Sequence, residues 1–164
     1  MRNSIRFFAL VAGLALAGCS TYQKRWEVAR DAVHSGDPFA GAYIGRWESG
    51  RQPGTGGNFW CILSPSGRDS YRAEFKATWH GVFRSEHFAE LGLVDGVRGE
   101  RAKEAAFHGE ATLDTWIGDG KYVCDGIFRR EGFSAKYDAV YDTGTFVLKR
   151  AGTPVCADAG AKKR

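Results

Sequence analysis

The sequence predicts an all-β chain: an antiparallel up-and-down barrel of about eight strands, preceded by a short helix or tether. Three observations carry that expectation. From residue 42 onward apolar residues recur with a period of two, and the segments carrying the period are separated by short, glycine-bearing joins. The chain of 164 residues holds 22 glycines against one methionine, which fits a turn-rich architecture better than a helical bundle. Alternation at period two is the pattern of a strand with one face in a core and the other in water.

Residues 20–41 form the lead-in. Trp26, Ala29, Ala32 and Val33 fall at helical spacing between Lys24 and Gly36. The stretch therefore reads as a short helix covering one barrel end, or as a tether. Strands are expected near 42–49, 58–64, 70–79, 82–91, 104–113, 120–129, 132–142 and 144–150. The third is the clearest: Tyr71, Ala73, Phe75, Ala77 and Trp79 take one side, and Arg72, Glu74, Lys76 and Thr78 the other. Residues 133–141 repeat the pattern, as do 122–128, where Gly126 thins the inner face.

The joins fix the topology. Residues 50–57 and Pro65-Ser66-Gly67 connect the early strands, and His80-Gly81, Glu131-Gly132 and Thr143-Gly144 are tight hairpins in which glycine supplies positive φ. Such short joins make successive strands antiparallel neighbours, because a parallel crossover needs a dozen or more residues. The longest join, 92–103, is charged and without period. A sheet with one apolar face must cover it, and closing into a barrel also removes the exposed edges. A two-sheet sandwich is the alternative.

Parity defines the inward set. Its rings are Tyr43, Trp47, Phe59, Tyr71, Phe75, Trp79, Phe83, Phe107, Tyr122, Phe128, Phe133, Tyr137, Tyr141 and Phe146, which are 14 of the 22 aromatic residues and leave little room for a polar interior ligand. Gly45, Ala73, Ala77, Gly109, Ala111, Gly126, Ala135 and Ala139 are interleaved with them. An eight-stranded barrel is wide enough to be filled by side chains or to hold one small ligand, and this alternation fits both. The candidate cavity residues are Tyr43, Phe75, Trp79, His87, Phe107, Tyr122, Tyr137 and Tyr141. His87 reads either as a buried neutral imidazole or as a polar handle for a ligand.

The first eighteen residues stand apart from the fold. Arg2 and Arg6 flank an apolar run, 7–18, that is too short for a bilayer span of about 20 residues and matches a secretory signal. It closes as Leu16-Ala17-Gly18-Cys19, which resembles the lipobox of bacterial lipoproteins. That resemblance implies cleavage before Cys19 and acylation of Cys19 with diacylglycerol and a further acyl chain such as palmitate. Ser20 in the next position implies the outer membrane, facing the periplasm. Cleavage after Ala15-Leu16-Ala17 to give an unanchored secreted protein is the alternative. The chain then divides into signal 1–18, anchored tether or helix 19–41, barrel 42–150 and basic tail 151–164.

Charge excludes one partner class. The formal charge is +4, but removal of Arg2 and Arg6 leaves 21 basic and 19 acidic residues. Residues 39–150 carry 15 of each. Basic groups gathered at the chain ends are not the clustered surface that a nucleic-acid binder needs; they suit anionic head groups or cell-wall polymers. The membrane, through the N-terminal lipid, is the expected partner.

Gly45-Arg46-Trp47 on the first strand resembles the G-x-W signature of lipocalins and their calycin relatives. In that family an arginine from the last strand lies across the tryptophan at one barrel end. The resemblance implies a barrel-end pair of Trp47 and Arg150 and a cup for small hydrophobic molecules. The string of strands is also similar to small bacterial lipoproteins of this size, which implies no activity.

With Cys19 assigned to lipid, Cys61, Cys124 and Cys156 allow three pairings. Cys61–Cys156 is preferred because the last strand should run beside the first, bringing the tail near the second; Cys124 is then a buried filler. No cysteine has a histidine spaced as a catalytic partner. His108 and Glu110 share an outward face and read as a solvated pair, not a metal site, which needs more ligands. Gly54-Thr55-Gly56-Gly57 lacks the lysine of a phosphate loop. No cofactor is expected. The sequence thus points to a non-catalytic, lipid-anchored envelope barrel carrying a small apolar or aromatic ligand. The alternative is a structural or protein-interaction lipoprotein with a filled barrel, working through its surface or loop 92–103.

Overall fold

Alternation becomes geometry in eight strands: β1 (Gly41–Ser49), β2 (Gly56–Pro65), β3 (Ser70–Trp79), β4 (Phe83–Leu93), β5 (Glu104–Thr115), β6 (Gly118–Arg129), β7 (Gly132–Ala139) and β8 (Thr143–Arg150). Each pairs antiparallel with the next, and β8 returns to β1, giving a closed eight-stranded barrel. The computed structural model describes residues 21–32, 37–79, 83–94, 103–115 and 118–152, with side chains at 79, 83, 113–115, 118 and 119 outside that description. Residues 1–20, with the lipobox and Cys19, and residues 153–164, with Cys156, also lie outside it.

Register explains why rings alternate with small residues. Phe59 stands opposite Gly45 on one side and Ala77 on the other. Tyr122 stands between Ala111 and Ala139, and Phe107 opposite Gly126. A ring on one strand thus fills the space that a small side chain leaves on its neighbour. At Gly126 an added Cβ would fall 2.5 Å from the Phe107 ring and 2.7 Å from Ala135. Glycine is there for proximity. Gly132 and Gly144, expected as positive-φ hairpin residues, instead lie inside strands; positive φ occurs among the described glycines at Gly41, Gly54, Gly120 and Gly152. A Cβ on Gly132 would collide with the Leu148 carbonyl, and one on Gly144 with Glu48 and Tyr137.

The lead-in contains a helix, α1 (21–31), but it does not cover a barrel end. It lies along the outer wall, where Tyr22 and Trp26 pack with Ala42 and Ile62 in a second, smaller apolar cluster. The Trp26 indole donates to the Tyr43 carbonyl at 3.0 Å, and the Tyr22 hydroxyl to the Glu74 carbonyl at 3.1 Å. Those two carbonyls belong to β1 and β3, so α1 crosses the strands.

Elsewhere the outer wall is mixed, with Ile44, Phe88, Ile127 and Val147 exposed among charged residues. Arg72, Glu110, Lys121, Asp125, Lys136 and Asp138 all face water. A bilayer-crossing barrel presents an apolar band outward and polar groups inward; here the main core cluster fills the inner face and charged residues lie on the outer one.

The ladder between β4 and β5 is short. Among the described residues it covers only Glu90–Leu93 against Phe107–Glu110, whereas β5 pairs with β6 over its full length. Positions 83–89 of β4 and 111–115 of β5 therefore face each other without ladder pairing. Among the described residues, the pairing across this seam therefore lies toward the end where β1 starts.

Candidate functional site

The lumen has two unlike halves. At the end where β1 starts and β8 finishes, the segment 37–40 crosses the mouth. Asp37 nucleates it: one carboxylate oxygen accepts from the Phe39 and Ala40 amides, both at 2.9 Å, and from the Tyr71 hydroxyl at 2.9 Å. An aspartate before proline that bonds its own downstream amides is a side-chain-closed turn. The turn drives Phe39 into the lumen, where it is fully buried, stacked 5.5 Å from Phe128 and edge-on to Tyr71 at 6.3 Å. Tyr43 donates its hydroxyl to the Phe39 carbonyl.

Arg150 locks this plug. Its guanidinium donates to the Pro38 and Ala40 carbonyls, each at 2.6 Å, and to the Arg130 carbonyl at 2.8 Å. It lies 5.0 Å from the centre of the Tyr43 ring. The expected pair of Trp47 and Arg150 is not formed. Arg150 is register partner to Tyr43, and Trp47 to Phe146. Four residues of strand, roughly 13 Å at about 3.3 Å per residue, place Trp47 toward the opposite end. The antiparallel turn of β8 is the reason: its final residue returns to the beginning of β1.

Above the plug, Phe59, Phe75 and Phe146 form a floor. Phe59 and Phe75 stack at 5.0 Å with planes 3° apart, and Phe146 stands 5.1 Å from Phe59. Beyond that floor the wall loosens. Trp47, Ala77, Ala111, Tyr137 and Ala139 pack against the core yet are only partly buried. The rim is nevertheless held. Trp47 donates to the Thr78 carbonyl at 3.1 Å, while Asp142 accepts from Tyr137 and Ser49, both at 2.7 Å.

His87 projects into this half from the stretch of β4 that precedes its ladder with β5. Its ring lies 5.3 Å from Phe75, 5.8 Å from Tyr122 and 6.3 Å from Phe59. Both ring nitrogens are shielded, and neither has a hydrogen-bond partner. Burial alone lowers its pKa to about 4, so the imidazole is neutral near pH 7. A neutral imidazole offers one donor and one acceptor, and leaving such a group unmatched costs about 1–3 kcal/mol.

The other candidates sort by place. Tyr43 and Phe107 are in the packed half, and Phe75 is in the floor. Tyr122 and Tyr137 join His87 in the loose half, their rings 5.7 Å apart. The side chain of Trp79 lies outside the described residues. Tyr141 does not face inward: it is 66% exposed. β7 stops at Ala139, whose amide donates to the Asp142 carbonyl at 2.8 Å, and this turn ends the parity that placed Tyr141 inside.

Cys61 and Cys124 are buried free thiols on the inner wall, and the expected partner of Cys61, Cys156, lies outside the described residues. Burial pushes the Cys61 thiol well up and that of Cys124 to about 12, so neither supplies a thiolate near pH 7. On the outer wall His108 faces its register partner Asp125 at 2.7 Å and Glu110 at 3.5 Å. The Asp125 hydrogen bond, chiefly, raises the His108 pKa. Among the described residues no group of three or more His, Cys, Asp or Glu is placed to hold a metal ion.

Comparison with family models, curated proteins and solved structures returns no match. The geometry stands alone. Parity missed the plug, the Arg150 clasp and the seam. Two signals were present in the residues: Asp37-Pro38 as a turn former, and Ser85 and His87 on an inner face otherwise apolar.

Proposed function

We propose that the chain is a lipid-anchored, non-catalytic envelope barrel that holds a small apolar or aromatic ligand in the half of its lumen away from Phe39. One observation carries this reading: beyond the Phe59–Phe75–Phe146 floor, Trp47, Ala77, Ala111, Tyr137 and Ala139 of the inner wall are only partly buried, and His87, set among rings there, has no hydrogen-bond partner. The anchor rests on Leu16-Ala17-Gly18-Cys19, and the charged residues of the outer wall suit a body standing in water beside the membrane. By the same resemblance the protein faces the periplasm from the outer membrane.

Titration of tryptophan fluorescence with fatty acids and aromatic metabolites tests the cup, together with native mass spectrometry of protein from its own host. Saturable quenching or a co-purifying small molecule is expected. A flat response across the panel with no bound mass instead supports a structural or interaction lipoprotein, the reading that the packed Phe39 half favours. The anchor is tested separately. A Cys19→Ser chain should lose acylation and leave the membrane fraction; retention at wild-type levels overturns the lipobox assignment.

A further inference from the structure

We infer that the ligand is a small, neutral ring compound bearing one hydroxyl or comparable hydrogen-bonding group, which pairs with the imidazole of His87. This rests on the cup reading and specifies its chemistry. Both His87 nitrogens lack a partner although the ring is walled by Phe59, Phe75 and Tyr122. Buried polar groups in folded proteins are nearly always matched, so an orphan pair in an aromatic wall marks a place where something else supplies the match.

The walls select the rest of the ligand. Rings at 5–6 Å from the imidazole favour a flat apolar body, which stacks or meets them edge-on. Charge is disfavoured: the one buried charged side chain among the described residues is Lys76, and it stands beneath α1 beside Tyr22, on the outer wall. A carboxylate inside would be desolvated with no buried cation among the described residues of the lumen to pair it, and an ammonium would meet only Asp142 at the rim, which already accepts from Tyr137 and Ser49. Size follows from the floor, since the lumen of an eight-stranded barrel takes one small ligand at most and half of this one is filled. The imidazole, neutral near pH 7, accepts from a hydroxyl at one nitrogen or donates to its oxygen at the other.

The test uses full-length protein in detergent and four probes of one ring size: p-cresol, toluene, 4-methylbenzoate and benzylammonium. Wild-type protein should bind p-cresol about tenfold more tightly than toluene, and both more tightly than either ion. Saturation with p-cresol should shift the His87 ring nitrogens in ¹⁵N NMR, whereas toluene should leave them nearly unmoved. In His87→Leu the preference for p-cresol should vanish while toluene binding persists. A preference that survives His87→Leu, or a wild-type ring spectrum unchanged by bound p-cresol, overturns the role of His87 and leaves the cup intact. Failure of both p-cresol and toluene to bind overturns the cup itself.

Discussion

The two halves of the lumen are built from the same residue types by the same strands, yet their described side chains are packed to different degrees. Phe39, Phe128, Phe107, Tyr71 and Leu148 are no more than 1% exposed, while Trp47, Tyr137, Ala111 and Ala139 on the same inner face are only partly buried. Composition does not distinguish them. The difference among the described residues is at the ends: a turn clamped by Asp37 and Arg150 on one side, and the hydrogen bonds of Trp47, Tyr137 and Ser49 on the other. Packing density in a barrel is therefore set as much by its caps as by its staves.

The sharpest way to break this contrast is to remove the plug. Phe39→Ala should cost about 3–5 kcal/mol in urea denaturation, the range for deleting a fully buried ring. A loss below about 1 kcal/mol would mean that the filled half does not depend on its cap.

The loose half should reveal itself through pH. His87 has a folded pKa of about 4 against 6.5 for the unfolded chain, so between those values the unfolded state binds more protons. Its contribution is complete above pH 6.5 and is lost as pH falls toward 4, by about 3 kcal/mol on linkage grounds. His87→Leu should remove that slope from stability measured by denaturation at each pH. His108, with a raised pKa, has the opposite sign: its contribution is present below pH 6.5 and fades as pH rises. Solvent screens it, so the net trend should follow His87.

Arg150→Met should cost about 2–3 kcal/mol, since hydrogen bonds to a charged group are among the stronger ones and the Pro38 and Ala40 carbonyls lose their donor. Amide exchange at residues 39 and 40 should accelerate in that variant; unchanged exchange would show that Asp37 alone holds the plug. The smallest expected effect is the most discriminating. Ala135 and Ala139 lie on one face of β7, four residues apart, in opposite halves. Ala135→Leu should overpack and cost about 1–3 kcal/mol, whereas Ala139→Leu should stay within about 0.5 kcal/mol while blocking the cup. Equal costs would erase the contrast.

Much of the barrel was legible because parity is local. The ring in Tyr71-Arg72-Ala73-Glu74-Phe75 and the glycine at 126 each announce a face without knowledge of any partner, and the strand count and order follow from short joins. Parity failed at Tyr141, where a turn interrupts the strand, and it has nothing to say about segment 37–40, whose importance comes from residues more than 100 positions away. Arg150 was read as a barrel-end residue, but its partner was taken from a family pattern when the register gives Tyr43. The seam was illegible for a related reason: ladder length depends on curvature of the whole sheet. Of the candidate site, His87, Tyr122 and Tyr137 came from parity alone, while the loss of hydrogen-bond partners around His87 is a property of three-dimensional surroundings.

The clasp of Arg150 on the Pro38 and Ala40 carbonyls also orders events in time. It joins residues 112 and 110 positions apart, so the plug is synthesised almost first and cannot be bolted until the closing strand exists. Loop closure of that length costs little more than that of a loop half as long, but nothing repays it before β8 is in place. The barrel therefore commits late, as a nearly complete chain.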